Sequence, residues 1–162
     1  ELARLAGEQE AALRMLVSEQ GTRLDRGDEL VDLRALLRGQ AGAGVTVSAP
    51  ADPVLLDRVR AAELAAIATT ALTNTTLHAG AGAKAYVLVE DLGDEVILSV
   101  RDDGKGIADG RLAEARAEGR MGVSKSIVGR AQWLGGVAVL DSAPGAGTEW
   151  EIRIPKRGAR GG

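Results

Sequence analysis

The chain divides into apolar stripes at helical spacing and short runs of period two. Over residues 1–20, Leu2, Leu5, Leu13, Leu16 and Val17 recur at helical spacing with charges between them, and Gln9 interrupts the stripe. Two readings stand: a helix packed on its own domain, or the end of a coiled-coil or bundle helix whose partner is another chain. The polar stretch Gly21 to Gly27 reads as a linker. From Asp28 to Leu37, the residues Leu30, Val31, Leu33, Leu36 and Leu37 form a second amphipathic segment, with Asp28 as candidate cap and Gly42 and Gly44 as its end. Val45 to Ser48 alternates as a short strand and stops at Pro50. Pro53 to His78 is predicted to be one long helix, with Pro53 in its first turn and Gly80 after its end. Between Leu64 and Leu72 it is apolar nearly all round, which predicts a central buried helix.

Ala85 to Glu90 and Glu95 to Arg101 are strand-like runs around Asp91-Leu92-Gly93-Asp94, a hairpin signal. Ile107 to Arg120 is polar, Ala-rich and flanked by glycine, and reads as a mobile excursion without a buried stripe. Val123 to Leu134 has Ile127, Val128, Ala131 and Leu134 on one helical face. Val137 to Leu140 and Thr148 to Ile154 read as two strands joined through Ser142-Ala143-Pro144-Gly145, and the Gly/Arg-rich tail after Lys156 as frayed. Helices and strands mix without regular βαβ alternation. The expected class is α+β: a two-layer α/β sandwich, its mixed, mostly antiparallel sheet carrying helices on one face.

Composition narrows the chemistry. With 162 residues, 45% hydrophobic and 27% charged, the chain has the make-up of an ordinary globular domain. Aromatics are 2% and Phe is absent, so the core must be Leu, Val, Ile and Ala, and the scarcity argues against a stacking platform for single-stranded nucleic acid. A net charge of −3 argues equally against a phosphate-backbone binder. The absence of cysteine excludes disulfides, zinc ribbons and thiol nucleophiles, and a single histidine, His78, excludes multi-histidine metal sites. No apolar run approaches the roughly 20 residues that span a bilayer, and no signal peptide is visible. The chain begins at Glu1 inside a helical pattern, so the expectation is a piece of something longer.

Three features carry candidate chemistry. Asn74 sits on the long helix beside Thr70 and Thr73, with His78 one turn on. It is either part of a polar helix-end cluster or, because an amide oxygen suits a hard cation, a Mg²⁺ ligand. Arg101-Asp102-Asp103-Gly104-Lys105-Gly106-Ile107 follows a predicted strand. It is either a tight acidic turn or a place where glycines admit a ligand and a carboxylate accepts from an exocyclic amine. Gly119-Arg120-Met121-Gly122 opens the Val123 helix with Lys125 and Arg130 nearby, either an ordinary loop or an anion site at a helix N-terminus. The run GRMGVSKS differs from a phosphate-loop signature at Ser124, and no strand precedes it, so that motif is rejected.

Taken in order, ALTNTTLHAGA, RDDGKGI, MGVSKSIVGRAQWLGG and SAPGAGTEWEIRIP resemble the ATP-binding domain of the gyrase/Hsp90/histidine-kinase/MutL superfamily. The nearer resemblance is to bacterial sensor histidine kinases whose partner regulators carry a LuxR-type helix-turn-helix. It covers roughly Asp28 to Pro155 and implies a Bergerat-type ATP-binding fold. It also implies roles. Asn74 would coordinate the Mg²⁺ bridging the nucleotide phosphates, and His78 belongs to the same nucleotide-binding box. Asp102 would accept from the adenine amine, with Gly104 and Gly106 letting the chain pass the base. Gly122, Val123 and Lys125 would face the phosphates, Ile107 to Met121 would be the ATP lid, and Gly145, Gly147 and Thr148 would close the adenine side.

Two positions depart from the family pattern. The usual Glu four residues before the Asn is Thr70, which cannot act as a base, and the usual Lys or Arg three residues after it is Leu77. Glu63 lies about three turns from Asn74, too far to substitute. The resemblance implies transfer of the ATP γ-phosphoryl group to a histidine on a dimerisation domain preceding Glu1, for relay to a response regulator. The expected organisation is the end of a dimerisation-type helix with a linker over 1–22, the catalytic domain over 23–157 and a tail over 158–162. The domain is expected to be cytoplasmic and compatible with a monomeric fragment, in a homodimeric parent that has room for a membrane anchor. The alternatives are a degenerate nucleotide-binding regulatory module without kinase activity, supported by Thr70 and Leu77, and an anti-sigma-type serine protein kinase, against which the N-terminal helix counts. No nucleic-acid partner is expected.

Overall fold

A computed structural model describes residues 29–80, 82–106 and 122–157. The segments expected to be an N-terminal helix and linker, a lid over 107–121 and a tail over 158–162 lie outside the described residues.

The elements run β1 (Leu30–Asp32), α1 (Leu33–Arg38), β2 (Val45–Ser48), β3 (Leu55–Asp57), α2 (Arg58–His78), β4 (Ala85–Asp91), β5 (Glu95–Asp102), α3 (Gly122–Trp133), β6 (Val137–Ser142) and β7 (Thr148–Pro155). Strands β2, β4, β5, β7 and β6 form one five-stranded sheet in that spatial order. Only the β2–β4 pair is parallel; the other neighbours are antiparallel. The expected two-layer sandwich with a mixed, mostly antiparallel sheet is what forms.

One sheet face is apolar because period-two alternation puts Val87 and Val89, Val96, Leu98 and Val100, and Trp150, Ile152 and Ile154 on the same side. Leu64, Ile67, Ala68 and Ala71 of α2, Ile127 and Ala131 of α3, and Leu134 just after α3 cover it. With no Phe, aliphatic side chains fill this core, and Trp150 is its one large aromatic. The other sheet face leaves Leu88, Val137 and Val139 exposed.

The structure corrects two boundaries. The segment expected to be one helix from Asp28 begins as β1, which pairs antiparallel with β3, Leu30 opposite Asp57 and Asp32 opposite Leu55. The cap is therefore Asp32. The long helix starts at Arg58, not near Pro53, because Leu55–Asp57 is taken by that ribbon. Asp57 caps it, accepting the Arg60 N–H at 2.9 Å. Arg60, 2% exposed, pairs with Asp57 Oδ2 at 2.8 Å and donates through Nε to the Pro155 carbonyl at 2.9 Å. A buried guanidinium is tolerable only when so paired, and here it fastens the start of α2 to the end of β7.

Asp32 is the second such fastening. It accepts the Arg34 and Val54 N–H groups, each at 3.1 Å, and the Arg34 guanidinium at 2.9–3.1 Å. Arg34 also reaches the carbonyls of Pro50 and Ala51. The Arg34 side chain, aided by the two N–H groups and opposed by burial, pulls the Asp32 carboxyl down to about 2. A depressed folded-state value stabilises the fold above the ordinary carboxylate range, about pH 4, and the contribution is lost as pH falls through the folded value. Urea denaturation of Asp32→Asn should therefore show lower stability at pH 7 and a flatter dependence on pH below about 4; an unchanged acid limb would refute this account.

Candidate nucleotide site

The candidate chemistry gathers where the end of α2, the end of β5 and the β6–β7 turn meet. Asp102 is the last residue of β5, opposite Ala85 on one neighbour and Thr148 on the other. The strand period turns Asp102 inward and Asp103 outward. Asp102 is 5% exposed. Its Oδ1 accepts the Gly104 N–H at 2.9 Å and its Oδ2 accepts the Thr75 hydroxyl at 3.1 Å. Asp103 instead accepts the Lys84 N–H at 2.6 Å and returns its own N–H to the Lys84 carbonyl at 3.0 Å.

The 103–106 loop is stitched on both sides. Lys105 donates its N–H to the Ala79 carbonyl at α2's end, and its carbonyl receives the Gly145 N–H. A Cβ on Gly104 would overlap the backbone and Cβ of Ala79. Close packing against α2 thus requires that glycine before any ligand does. Gly147, at φ +76°, crosses the carbonyl of Asp102, where a Cβ would overlap it. Gly106, at φ +72°, lies in the same way against Ala143. Ser142 donates to the Gly147 carbonyl and lies 3.0 Å from the Thr148 hydroxyl, fixing the turn from within.

Along α2, Glu63, Thr70 and Asn74 are spaced seven and four apart and so share one stripe. Glu63 takes Arg130 of α3 at 2.6 Å. Arg130 thus joins the two helices. Asn74 and Thr70 are half-buried, His78 is exposed and Leu77 is 69% exposed. No hydrogen bond to the Asn74 amide is seen among the described residues. Gly122 and Val123 open α3, and Lys125 on its first turn is exposed. Among the described residues no cluster of three His, Cys, Asp or Glu could hold a metal, so a cation here would rely on Asn74 and on oxygens brought by its ligand. One amide oxygen completed by phosphate and water is a donor set that suits Mg²⁺.

The structure brings Asp102, Gly104, Gly106, Gly147 and Thr148 together, and the Thr75 hydroxyl ties to them the turn of α2 that bears Asn74. Sequence reasoning missed Thr75, Ser142 and Lys84. Each acts through a pairing across elements, and only the strand register of β4 and β5 could have placed Lys84 beside Asp103.

A mixed sheet bearing a glycine-stitched, buried strand-end carboxylate under an asparagine-bearing helix defines the class of ATP-binding sandwiches. Residues 60–158 match the family model described as histidine kinase-, DNA gyrase B-, and HSP90-like ATPase, and the chain belongs to that family. Among solved structures, the ATP-binding domain of PrrB from Mycobacterium tuberculosis is similar at 22% identity and TM-score 0.60, over 82% of this chain and 99% of that one. The Acinetobacter baumannii histidine kinase AdeS is similar at 18% identity and TM-score 0.62, over 96% and 81%. The histidine kinase domain of the Erythrobacter litoralis EL346 blue-light activated histidine kinase is similar at 24% identity and TM-score 0.55, over 76% of this chain and 61% of that one. The chain thus spans less than two thirds of that kinase domain. The comparison with curated proteins gives no match.

The tightness of the Gly147 crossing can be measured. Gly145, at φ +77° with nothing within 4 Å of where a Cβ would stand, isolates the cost of the left-handed backbone alone. Gly145→Ala should cost about 1 kcal/mol, and Gly147→Ala at least about 2 kcal/mol because overlap adds to strain. Equal losses in urea denaturation would show that the crossing is not close.

Proposed function

We propose that the chain is the ATP-binding catalytic domain of a sensor histidine kinase, donating the γ-phosphoryl group to a histidine outside these residues. The observation that carries the proposal is Asp102: a buried carboxylate, held by two donors at a strand end, that keeps acceptor capacity for a third. An adenine 6-amine matches that remaining capacity in hydrogen bonding. Gly147 and Thr148 border it on the β7 side. The N–H groups at the start of α3, from Gly122 and Val123, with Lys125, supply donors and positive charge for phosphates, and His78 adds a ring N–H. Asn74 would hold Mg²⁺, which when bound neutralises phosphate charge. Phosphoryl transfer asks mainly for positioning and charge neutralisation, and these residues provide both. The acceptor imidazole gains the P–N bond as the bond from the γ-phosphorus to the β–γ bridging oxygen breaks, ADP leaves, and the imidazole proton passes to a base.

The same proposal extends to the parent: a dimerisation and phosphoacceptor domain before residue 23, a homodimer, a LuxR-type response regulator as partner, and a cytoplasmic position that accommodates a membrane anchor elsewhere in the parent. Among the described residues no helix is long and apolar enough to cross a membrane. A second reading, a regulatory module that binds nucleotide without phosphoryl transfer, is favoured by Thr70, whose hydroxyl takes no proton near neutral pH, and by the apolar, exposed Leu77.

Two measurements test this. Calorimetry should show Asp102→Asn losing about 1–3 kcal/mol of ADP binding, since the amide presents a donor to the base's amine; unchanged affinity would sink the assignment. In a chain extended upstream to include the phosphoacceptor helix, [γ-³²P]ATP should label that histidine, and Thr70→Glu should raise the rate with little change in affinity. Absent labelling with intact ADP binding would establish the regulatory reading.

A further inference from the structure

We infer that Thr75 is the positioning residue that gives Asp102 its preference for a 6-amino purine; this rests on the nucleotide reading of the site. The Thr75 hydroxyl lies 3.1 Å from Asp102 Oδ2 and 3.2 Å from the Ala71 carbonyl. It has one proton, and the carboxylate is the stronger acceptor. With Oδ1 held by the Gly104 N–H at 2.9 Å, the two donors fix the carboxylate plane from opposite ends. Neither donor alone would, because a carboxyl group rotates freely about its terminal bond.

The surroundings make that second donor matter. Thr75 also lines a cavity of about 270 Å³, together with Leu72, Thr76, Val45, Gly80 and Ala85. Ala85 is also the residue opposite Asp102 across β4 and β5. Thr75 thus touches both the carboxylate and a space large enough for several waters. With the hydroxyl removed, Asp102 Oδ2 is free to turn toward water in that space and away from a base. Held in place, Asp102 presents only acceptor lone pairs to an entering purine. A 6-amine donates to them, whereas a 6-oxo group meets acceptor with acceptor.

The test is calorimetric titration of the 162-residue chain with ADP and with purine riboside 5′-diphosphate, which has the same sugar and phosphates but no 6-amine. Thr75→Val should weaken ADP about tenfold, the worth of one hydrogen bond, and leave the purine analogue within about twofold. Thr75→Ser, which keeps the hydroxyl, should stay within about threefold of the parent for both ligands. Should valine fail to pack, Thr75→Ala makes the same comparison, with thermal denaturation confirming the fold. Equal losses for both ligands would overturn the inference, since the hydroxyl would then only support the fold. Unchanged ADP affinity in Thr75→Val, with the parent preferring ADP, would overturn it while leaving the nucleotide reading intact. A parent chain that binds ADP no better than the purine analogue would bring down the adenine role of Asp102 and this inference with it.

Discussion

A carboxylate buried at the end of a central strand sets the terms for the rest of the molecule. Removing a charged oxygen pair from water costs several kcal/mol unless donors replace the lost hydration. Asp102 has two, the Gly104 N–H and the Thr75 hydroxyl, and each constrains a different element. The Gly104 donor requires the chain to turn back at once after β5, directly against Ala79, where no side chain fits. The Thr75 donor requires the last turns of α2 to lie over the end of β5. The β6–β7 turn must then pass across the Asp102 carbonyl, which Gly147 alone permits. Helix and loop are thus positioned by one side chain, and the turn packs on the backbone of the same residue.

The same physics decides how much was legible beforehand. The β4–β5 hairpin, α3 and the β6–β7 pair were readable because each has a long enough run to show its period: two in Val96, Leu98, Val100, and 3.6 in Ile127, Ala131, Leu134. The five-stranded mixed sheet followed from their order. The β1–β3 ribbon was not readable. Three residues show no period, and Leu30-Val31 merges with the stripe of Leu33, Leu36 and Leu37 into one apparent helix. Pro53 reinforced the error, because proline fits a first helical turn as well as a loop before a strand. At the site, Asp102 and its glycines could be picked out as a local motif, but Thr75 could not. Its hydroxyl lies 3.2 Å from the carbonyl four residues earlier, as that of Thr76 does from Leu72, the local pairing any helical threonine can make. What separates the two is a contact with a residue 27 positions away.

Helix α2 does its work on two faces. Leu64, Ala68 and Ala71 bury into the sheet, Thr75 continues the same stripe and reaches Asp102, and the stripe of Glu63, Thr70 and Asn74 lies on a second side, where Glu63 meets α3. The hydrophobic face makes the helix a rigid platform, so the groups on it and beside it are held to its axial spacing of about 1.5 Å per residue. The Glu63–Arg130 pair is partly exposed and worth little in energy. Its value is geometric, since it links the helix that bears Asn74 to the helix that begins at Gly122.

The two departures on that platform bear on the proposed chemistry in opposite ways. Against the pattern that the chain resembles, Thr70 removes one negative charge and Leu77 removes one positive charge, both within about a turn of Asn74. Charge near a bound polyphosphate acts over several ångströms, so the two losses nearly cancel in the field that the phosphates feel. In the proposed site, nucleotide binding would depend on that field and on Asp102, and would be little affected by the pair. Proton transfer is not additive in this way: it needs a particular acceptor within hydrogen-bond reach, and a hydroxyl at Thr70 is not one. Substitutions that are neutral for binding thus move the burden of deprotonation off this domain. In the proposed transfer, the parent relies on a base outside this helix, and a carboxylate restored one turn before Asn74 would add a second route.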